Sequence, residues 1–495
     1  MRKRGIKMTI WIVLACYIVV MAVVGVVSTR KAKTLTDFVV GGRNAGPWMS
    51  AFAYGTTYFS AVLFIGYAGR SGWDFGFWAI LIGVGNALIG TWLAWKVLAD
   101  RTRSVTRRLK IKTMPQLFEK RYESRNMKLF AAVVIFIFMV PYSASVYSGL
   151  SYLCESVLGI PYNIAMAVIA VVAAVYLVLG GYIASLFADF IQGIVMIFGI
   201  LAMIFVIART EKVGGLIEGF SRLADKMSAD GILSLDGGMI ISLISLILLT
   251  SIGTWGLPQM IHKFYGIADK KAVKRGTIVS TVFSLIISCG AYYVGSLTRL
   301  FFNEIPAVSG KPNTDLLIPQ ILQHLPTLLL GVILVLVLAA SVSTLSGLTL
   351  TSCSTLTMDL IKGIFKKDMD KKQTLILTRV FCLLFILCSY LIAALKSPIL
   401  TLMSFSWGTV AGSFLAPYLL GLYWKRLDRR GAWAGMIGGL ATSIVLTVGS
   451  GFNTKLSPTF GIIAMIVSFV LCIAVTLIVS RPKTVSTFFE ETSAQ

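Results

Sequence analysis

The feature that most constrains this chain is a succession of apolar runs, each about as long as the ~20 residues needed to cross a bilayer as a helix. Thirteen such runs are predicted, over 9–28, 47–69, 75–99, 128–154, 160–180, 185–208, 238–262, 276–301, 316–361, 374–395, 399–424, 432–450 and 457–480. The run 316–361 is too long for one span, and its first part, to about Leu322, reads as a surface helix. Composition agrees: 57% of the 495 residues are hydrophobic and 13% are charged, against roughly 25% charged for a soluble globule. The expected fold is an all-α polytopic membrane protein embedded in lipid, forming one integral-membrane domain over 1–495.

The net charge of +24 would suggest nucleic acid on a soluble protein. Here the basic residues lie in short loops between apolar runs. With the N-terminus outside, 32 of the 45 Lys and Arg fall in cytoplasmic segments, the asymmetry of the positive-inside rule. No nucleic-acid partner is therefore implied. The basic tail Arg2, Lys3, Arg4, Lys7 argues the other way locally and resembles the start of a signal peptide, but the apolar run after it is long for one and no small-residue cleavage site follows. The stretch 9–28 is read as an additional first helix. Seven cysteines without paired spacing read as small apolar filler, and His262 and His324 make no metal cluster.

Three places depart from plain spanning helices. In the second span, Gly55-Thr56-Thr57-Tyr58 brings hydroxyls and loosely held backbone to mid-depth. Unwound backbone there is tolerated where it lines a cavity, and its carbonyls can hold a cation; the other reading is Ser and Thr bonding back to their own helix. In the ninth span, Ser or Thr fills most positions from Ser341 to Thr355. Ser343 and Thr344, with Ala340 one turn before, offer two hydroxyls and a carbonyl, neutral hard oxygens that suit Na⁺. Asp189 is an ionisable group inside the sixth run, either functional or a hydrated end-cap. Gly435 and Gly439 have helix-packing spacing, and Asn86, Ser404, Ser406 and Trp407 are modest polar marks in apolar surroundings.

Several motifs in order then resemble the sodium:solute symporter family. They are Asp37-Phe-Val-Val-Gly-Gly-Arg43, Phe64-Ile-Gly-Tyr-Ala-Gly69, Gly180-Gly181 with Asp189 and Gln192, Pro258-Gln-Met-Ile-His-Lys-Phe264, Lys271-Ala-Val-Lys-Arg275, Thr357-Met-Asp359, and Phe414, Pro417 and Tyr423-Trp-Lys-Arg426. The resemblance implies a leucine-transporter-type fold with a 5+5 inverted repeat, 47–208 and 238–424, and two C-terminal helices in 432–480. It implies Na⁺ as co-transported ion, held by carbonyls of Thr56, Phe59 and Ala340 and hydroxyls of Ser343 and Thr344. Asp189 would lie on the sodium release path.

The expected function is secondary active transport, with no enzymatic step, of a small organic solute into the cell across the cytoplasmic membrane. Thr57, Tyr58, Ser60, Trp255, Ser404 and Trp407 are the expected substrate-binding residues. Proline carriers of the family have an acidic residue where this chain has Tyr58, and sugar carriers have Gln and Glu where it has Leu63 and Ile82. The run Thr57-Tyr58-Phe59-Ser60-Ala61 more closely resembles that of members carrying organic acids such as monocarboxylates or pantothenate. A proline- or sugar-type symporter and a proton-coupled carrier are the alternatives. A receptor would need an output domain, and an intramembrane enzyme a catalytic cluster. No obligate protein partner is evident.

Overall fold

The computed structural model describes residues 2–29, 43–308, 310–323, 325–362, 369–479 and 488. His324, most of the motif 37–43 and the polar tail lie outside the described residues. In chain order the helices are α1 (Arg2–Thr29), α2 (Pro47–Tyr58), α3 (62–75), α4 (80–108), α5 (Met114–Tyr122), α6 (Arg125–Leu158) and α7 (Tyr162–Ala208). There follow α8 (Leu216–Ala229), α9 (Gly237–Ser251), α10 (Pro258–Tyr265), α11 (270–301), α12 (Leu317–Leu322) and α13 (Thr327–Ile361). The last four are α14 (Lys371–Ala394), α15 (Ile399–Tyr423), α16 (Arg429–Gly449) and α17 (Ser457–Val479). A two-residue hairpin, Ala307–Val308 with Lys311–Pro312, is the one β-ladder among the described residues.

Among the described residues ten helices are long and apolar enough to cross a membrane and Met8–Met21 and Tyr162–Ala174 are shorter apolar runs, so the count of thirteen spans is not confirmed. The difference has physical causes. The second half of the second expected span runs into the third as one stretch, Val62–Arg108, bent at Gly76, whose φ of +58° only glycine adopts without strain and where a Cβ would overlap the Met227 side chain. The expected loop 181–184 is instead helical inside α7. At 1.5 Å per residue its 47 residues would extend about 70 Å, more than twice a bilayer's core. The helix thus carries two apolar runs; its side chains from 175 to 184 lie outside the described residues.

A second correction concerns 316–322. It is a separate helix, α12, but not a surface one. Leu317, Ile318, Ile321 and Leu322 are buried, and Ile318 packs close to Gly69 of α3. The Gly435 and Gly439 spacing does serve packing. A Cβ on Gly439 would lie 1.9 Å from the Gly412 carbonyl, and one on Gly435 would meet Cys472 at 2.2 Å, so α16 touches α15 and α17 nearly backbone to backbone. The seven cysteines are all free thiols.

Polar side chains tie the helix ends. Thr113 caps α5 through the Gln116 amide and also donates to Asp359 at the end of α13, 2.5 Å away. Arg121 satisfies three carbonyls in and just beyond the last turn of α15, those of Gly421, Trp424 and Leu427, at 2.7, 3.1 and 3.0 Å, groups a helix end otherwise leaves without partners. At the opposite end of α15, Asp315 accepts the Ile399 amide at 3.2 Å.

Burial pushes the Asp315 carboxyl up to about 6. A folded state that binds this proton more tightly than the unfolded chain gains stability below the unfolded value of about 4, and the gain is gone above about 6. Unfolding temperature in detergent should therefore fall as pH rises across that window. The change is on the order of 3 kcal/mol at 1.36 kcal/mol per unit. Asp315→Asn should flatten the profile; an unchanged slope would assign it to other groups.

Candidate functional site

Two helices that break in mid-course form the centre. The first stops at Tyr58: Phe59 is extended, with φ −107° and ψ 118°, and its amide still reaches Gly55. The next turn closes on Ser60, whose carbonyl accepts the Leu63 amide and whose hydroxyl accepts that of Val62. The second break lies between α9 and α10, where Gly253–Gly256 forms one tight turn and Leu257 is extended before Pro258 restarts the helix. The signal for it was in the sequence, in Gly253, Gly256 and Pro258 together, and the reading from sequence took 238–262 as one span. Flanking backbone joins the two broken helices: Ala45 and Ile267 form a parallel bridge, with amide bonds of 3.0 Å to either side. Arg43 holds the carbonyls of Thr106 and Ile111 beside it, at 2.8 and 2.7 Å.

Three of the five expected sodium residues, Thr56, Ser343 and Thr344, meet at the first break. Thr344 donates to the carbonyls of Thr56 and Thr57, each at 3.3 Å. Ser343 Oγ lies 3.0 Å from Thr56 Oγ1 and 2.6 Å from Asp189 Oδ1. Thr56 spends its own proton on the Phe52 carbonyl, so the Ser343 proton goes to the charged carboxylate, the stronger acceptor. Ala340 is fully buried one turn ahead of Thr344, and Phe59 sits at the break itself. Helices α2 and α13 thus bring Thr56 into hydrogen-bonding reach of Ser343 and Thr344, nearly 300 positions away; no side-chain hydrogen bond among the described residues draws in the Phe59 or Ala340 carbonyl.

That partner is the main correction to the sequence reading. Asp189 is not a solitary carboxylate at a hydrated helix end. It is fully buried, and the Lys263 ammonium from α10 donates to Oδ2 at 2.9 Å; Ser185 is 3.4 Å from the same oxygen. Nothing near Asp189 in the chain could announce a lysine 74 residues away. Gln192, one turn along, donates instead to the Tyr17 hydroxyl of α1 at 3.1 Å.

Beside the oxygens is a small cavity of about 20 Å³, lined by Tyr58, Phe59, Ser60, Tyr67, Trp407 and Asn86 among others. That is room for about one water, so the helices are closed around the site and a solute enters only when they part. Tyr58 stacks on Phe59 with ring centroids 4.4 Å apart, and its hydroxyl is tied to the Thr250 carbonyl. Trp407 meets Tyr142 edge-on at 5.5 Å; its indole nitrogen is buried with no hydrogen-bond partner among the described residues. Asn86 accepts from Thr250 at 2.8 Å and Ser251 at 3.2 Å.

Of the six expected substrate residues, Tyr58, Ser60 and Trp407 line this cavity. Thr57 turns toward α13, where its methyl would be 3.3 Å from a Cβ on Gly347. Trp255 donates to the Ile89 carbonyl at 3.2 Å. Ser404 stands behind the lining, 2.8 Å from the Tyr67 hydroxyl. Thr250, Tyr67, Tyr292 and Met403 belong to the lining and went unnoticed, since aromatics and methionine in apolar runs carry no distinguishing pattern.

The family model of the sodium:solute symporters matches residues 38–439. The chain belongs to the sodium:solute symporter family. The sodium/proline symporter of Escherichia coli is 30% identical over 87% of this chain and 86% of its own. The osmoregulated proline transporter of Bacillus subtilis is 28% identical over 96% of this chain and 95% of its own. A solved Na⁺-coupled sialic acid symporter, 18% identical, superimposes with a TM-score of 0.78 over 97% of this chain and 99% of that one, which gives the fold. The protein is a multi-pass, sodium-coupled membrane symporter and not an enzyme, with Na⁺ as the co-transported ion. The lean to a monocarboxylate or pantothenate finds no support in the two curated relatives, both named as proline carriers.

Proposed function

We propose that this symporter carries proline, or a small zwitterionic amino acid like it, into the cell across the cell membrane, with Na⁺ held by Thr56, Phe59, Ala340, Ser343 and Thr344. The observation that carries the solute reading is the neutrality of the cavity: among its lining residues there is neither a carboxylate nor a basic side chain. A zwitterion brings no net charge into such a site, whereas a free organic acid would bring an anion with no Lys or Arg in the lining to meet it. Both ends of a zwitterion find complements. The Trp407 indole N–H and the start of the helix after the first break suit a carboxylate. The aromatic faces of Tyr58 and Trp407 suit a small ammonium. Tyr58 where proline carriers have an acid changes how the ammonium is met, not whether it is met.

The inverted repeat, 47–208 against 238–424, belongs to the same reading. Each half opens on a broken helix, α2–α3 and α9–α10, the arrangement in which paired breaks mark the binding site. Uptake of labelled L-proline into proteoliposomes under an inward Na⁺ gradient tests the proposal. Accumulation should depend on Na⁺, be abolished by excess unlabelled proline and be indifferent to acetate or pantothenate. Na⁺-driven accumulation of an organic acid, with proline inert, would reverse it.

A further inference from the structure

Lys263 brings a fixed cation to the edge of the sodium site. Its ammonium lies 2.9 Å from Asp189, and the two side chains are 2% and 1% exposed. The other oxygen of that carboxylate takes the Ser343 hydroxyl at 2.6 Å, and Ser343 is 3.0 Å from Thr56 Oγ1. A single carboxylate therefore stands between a built-in positive charge and the oxygens proposed to hold the ion.

We infer that Lys263 is a tethered counter-cation that competes with Na⁺ for Asp189, and that this competition keeps the ion weakly held and quick to leave. The inference rests on the sodium site proposed above. With the ammonium in place, an ion among the Thr56, Ser343 and Thr344 oxygens meets a neutral pair. Without it, the ion would meet an unbalanced carboxylate one hydroxyl away, in surroundings that screen charge poorly. A symporter must discharge its ion in every cycle, so tight holding is a defect. Asp189 and Lys263 also ride on different elements: α7 carries the carboxylate and α10, the half-helix after the second break, carries the ammonium. Relative movement of the two opens and closes the pair, handing the carboxylate from lysine to sodium and back.

The test is equilibrium Na⁺ binding to the purified protein in detergent, with transport measured in proteoliposomes. Lys263→Met should raise Na⁺ affinity tenfold or more, equivalent to about 1.4 kcal/mol, while maximal uptake falls several-fold because release slows. Lys263→Arg should keep affinity near that of the wild type. A lysine that merely supported the fold could not tighten sodium binding when removed, so unchanged or weaker binding in Lys263→Met overturns the inference. If that variant does not fold, the pair Asp189→Asn with Lys263→Met leaves no buried charge unbalanced and replaces it. Affinity within about threefold of wild type then supports competition, and a loss of a hundredfold refutes it. Wild-type protein that binds no Na⁺, or is indifferent to Ser343→Ala, would instead defeat the sodium site itself.

Discussion

Asp189→Asn should cost this symporter about a hundredfold or more in Na⁺ affinity and leave a visibly less stable protein. The substitution keeps the shape of the side chain and removes its charge, but Lys263 stays. Its ammonium, 2% exposed, is then buried without the carboxylate that balances it. Removing one member of a buried pair typically destabilises by about 3–5 kcal/mol. The ammonium, no longer balanced by Asp189, also repels an ion approaching Ser343, which has lost its charged acceptor 2.6 Å away. Two measurements separate these effects: the unfolding temperature without Na⁺, and the Na⁺ concentration giving half of the stabilisation. Adding Lys263→Met should restore most of the first and much of the second, because the charge that Asp189 balanced is then gone as well. Wild-type sodium affinity in the single variant, with only slower transport, would return Asp189 to a way-station beyond the site.

The fates of Asp189 and Ser343 show what can be read from a chain of this kind. Apolar runs announce spans because lipid admits few alternatives to a helix, so the class, the sequence positions of most helices and the polar richness of α13 were all legible. The convergence of Thr56 with Ser343 and Thr344 was legible as well, through hydroxyls out of place in lipid and through family motifs. Three things were not. The second break was hidden because Gly253, Gly256 and Pro258 also occur in ordinary bent helices. The helical course of α7 through 181–184 defeated a reading that places a loop wherever an apolar run exceeds one bilayer. The Lys263 partner of Asp189 was invisible because ion pairing between elements follows from packing, which sequence spacing does not encode. The lysine was counted among loop charges that set orientation, although it points inward from a half-helix.

Ser343→Ala and Thr344→Ala bear on the site from its neutral side, and together they should abolish measurable Na⁺ coupling. Each hydroxyl is one oxygen of the proposed shell of about five, and an unreplaced polar contact is worth roughly 1–3 kcal/mol. That corresponds to about tenfold to a hundredfold in sodium affinity for each single variant, at 1.4 kcal/mol per decade. The two should not simply add. Ser343 touches Thr56 Oγ1 and Asp189, whereas Thr344 touches the carbonyls of Thr56 and Thr57; both brace the same end of α2, and contacting residues couple. Loss of Ser343 also leaves an Asp189 oxygen without its donor, so Ser343→Ala should be the more damaging. Ser346→Ala is the matched control, since that hydroxyl bonds back to Val342 of its own helix at 2.7 Å and should leave sodium dependence unchanged. The decisive reading is the half-saturating Na⁺ concentration for uptake, taken at saturating solute so that weakened solute binding is not mistaken for weakened ion binding. Equal, small shifts in all three variants would mean that the polar face of α13 serves helix packing and that the ion lies elsewhere.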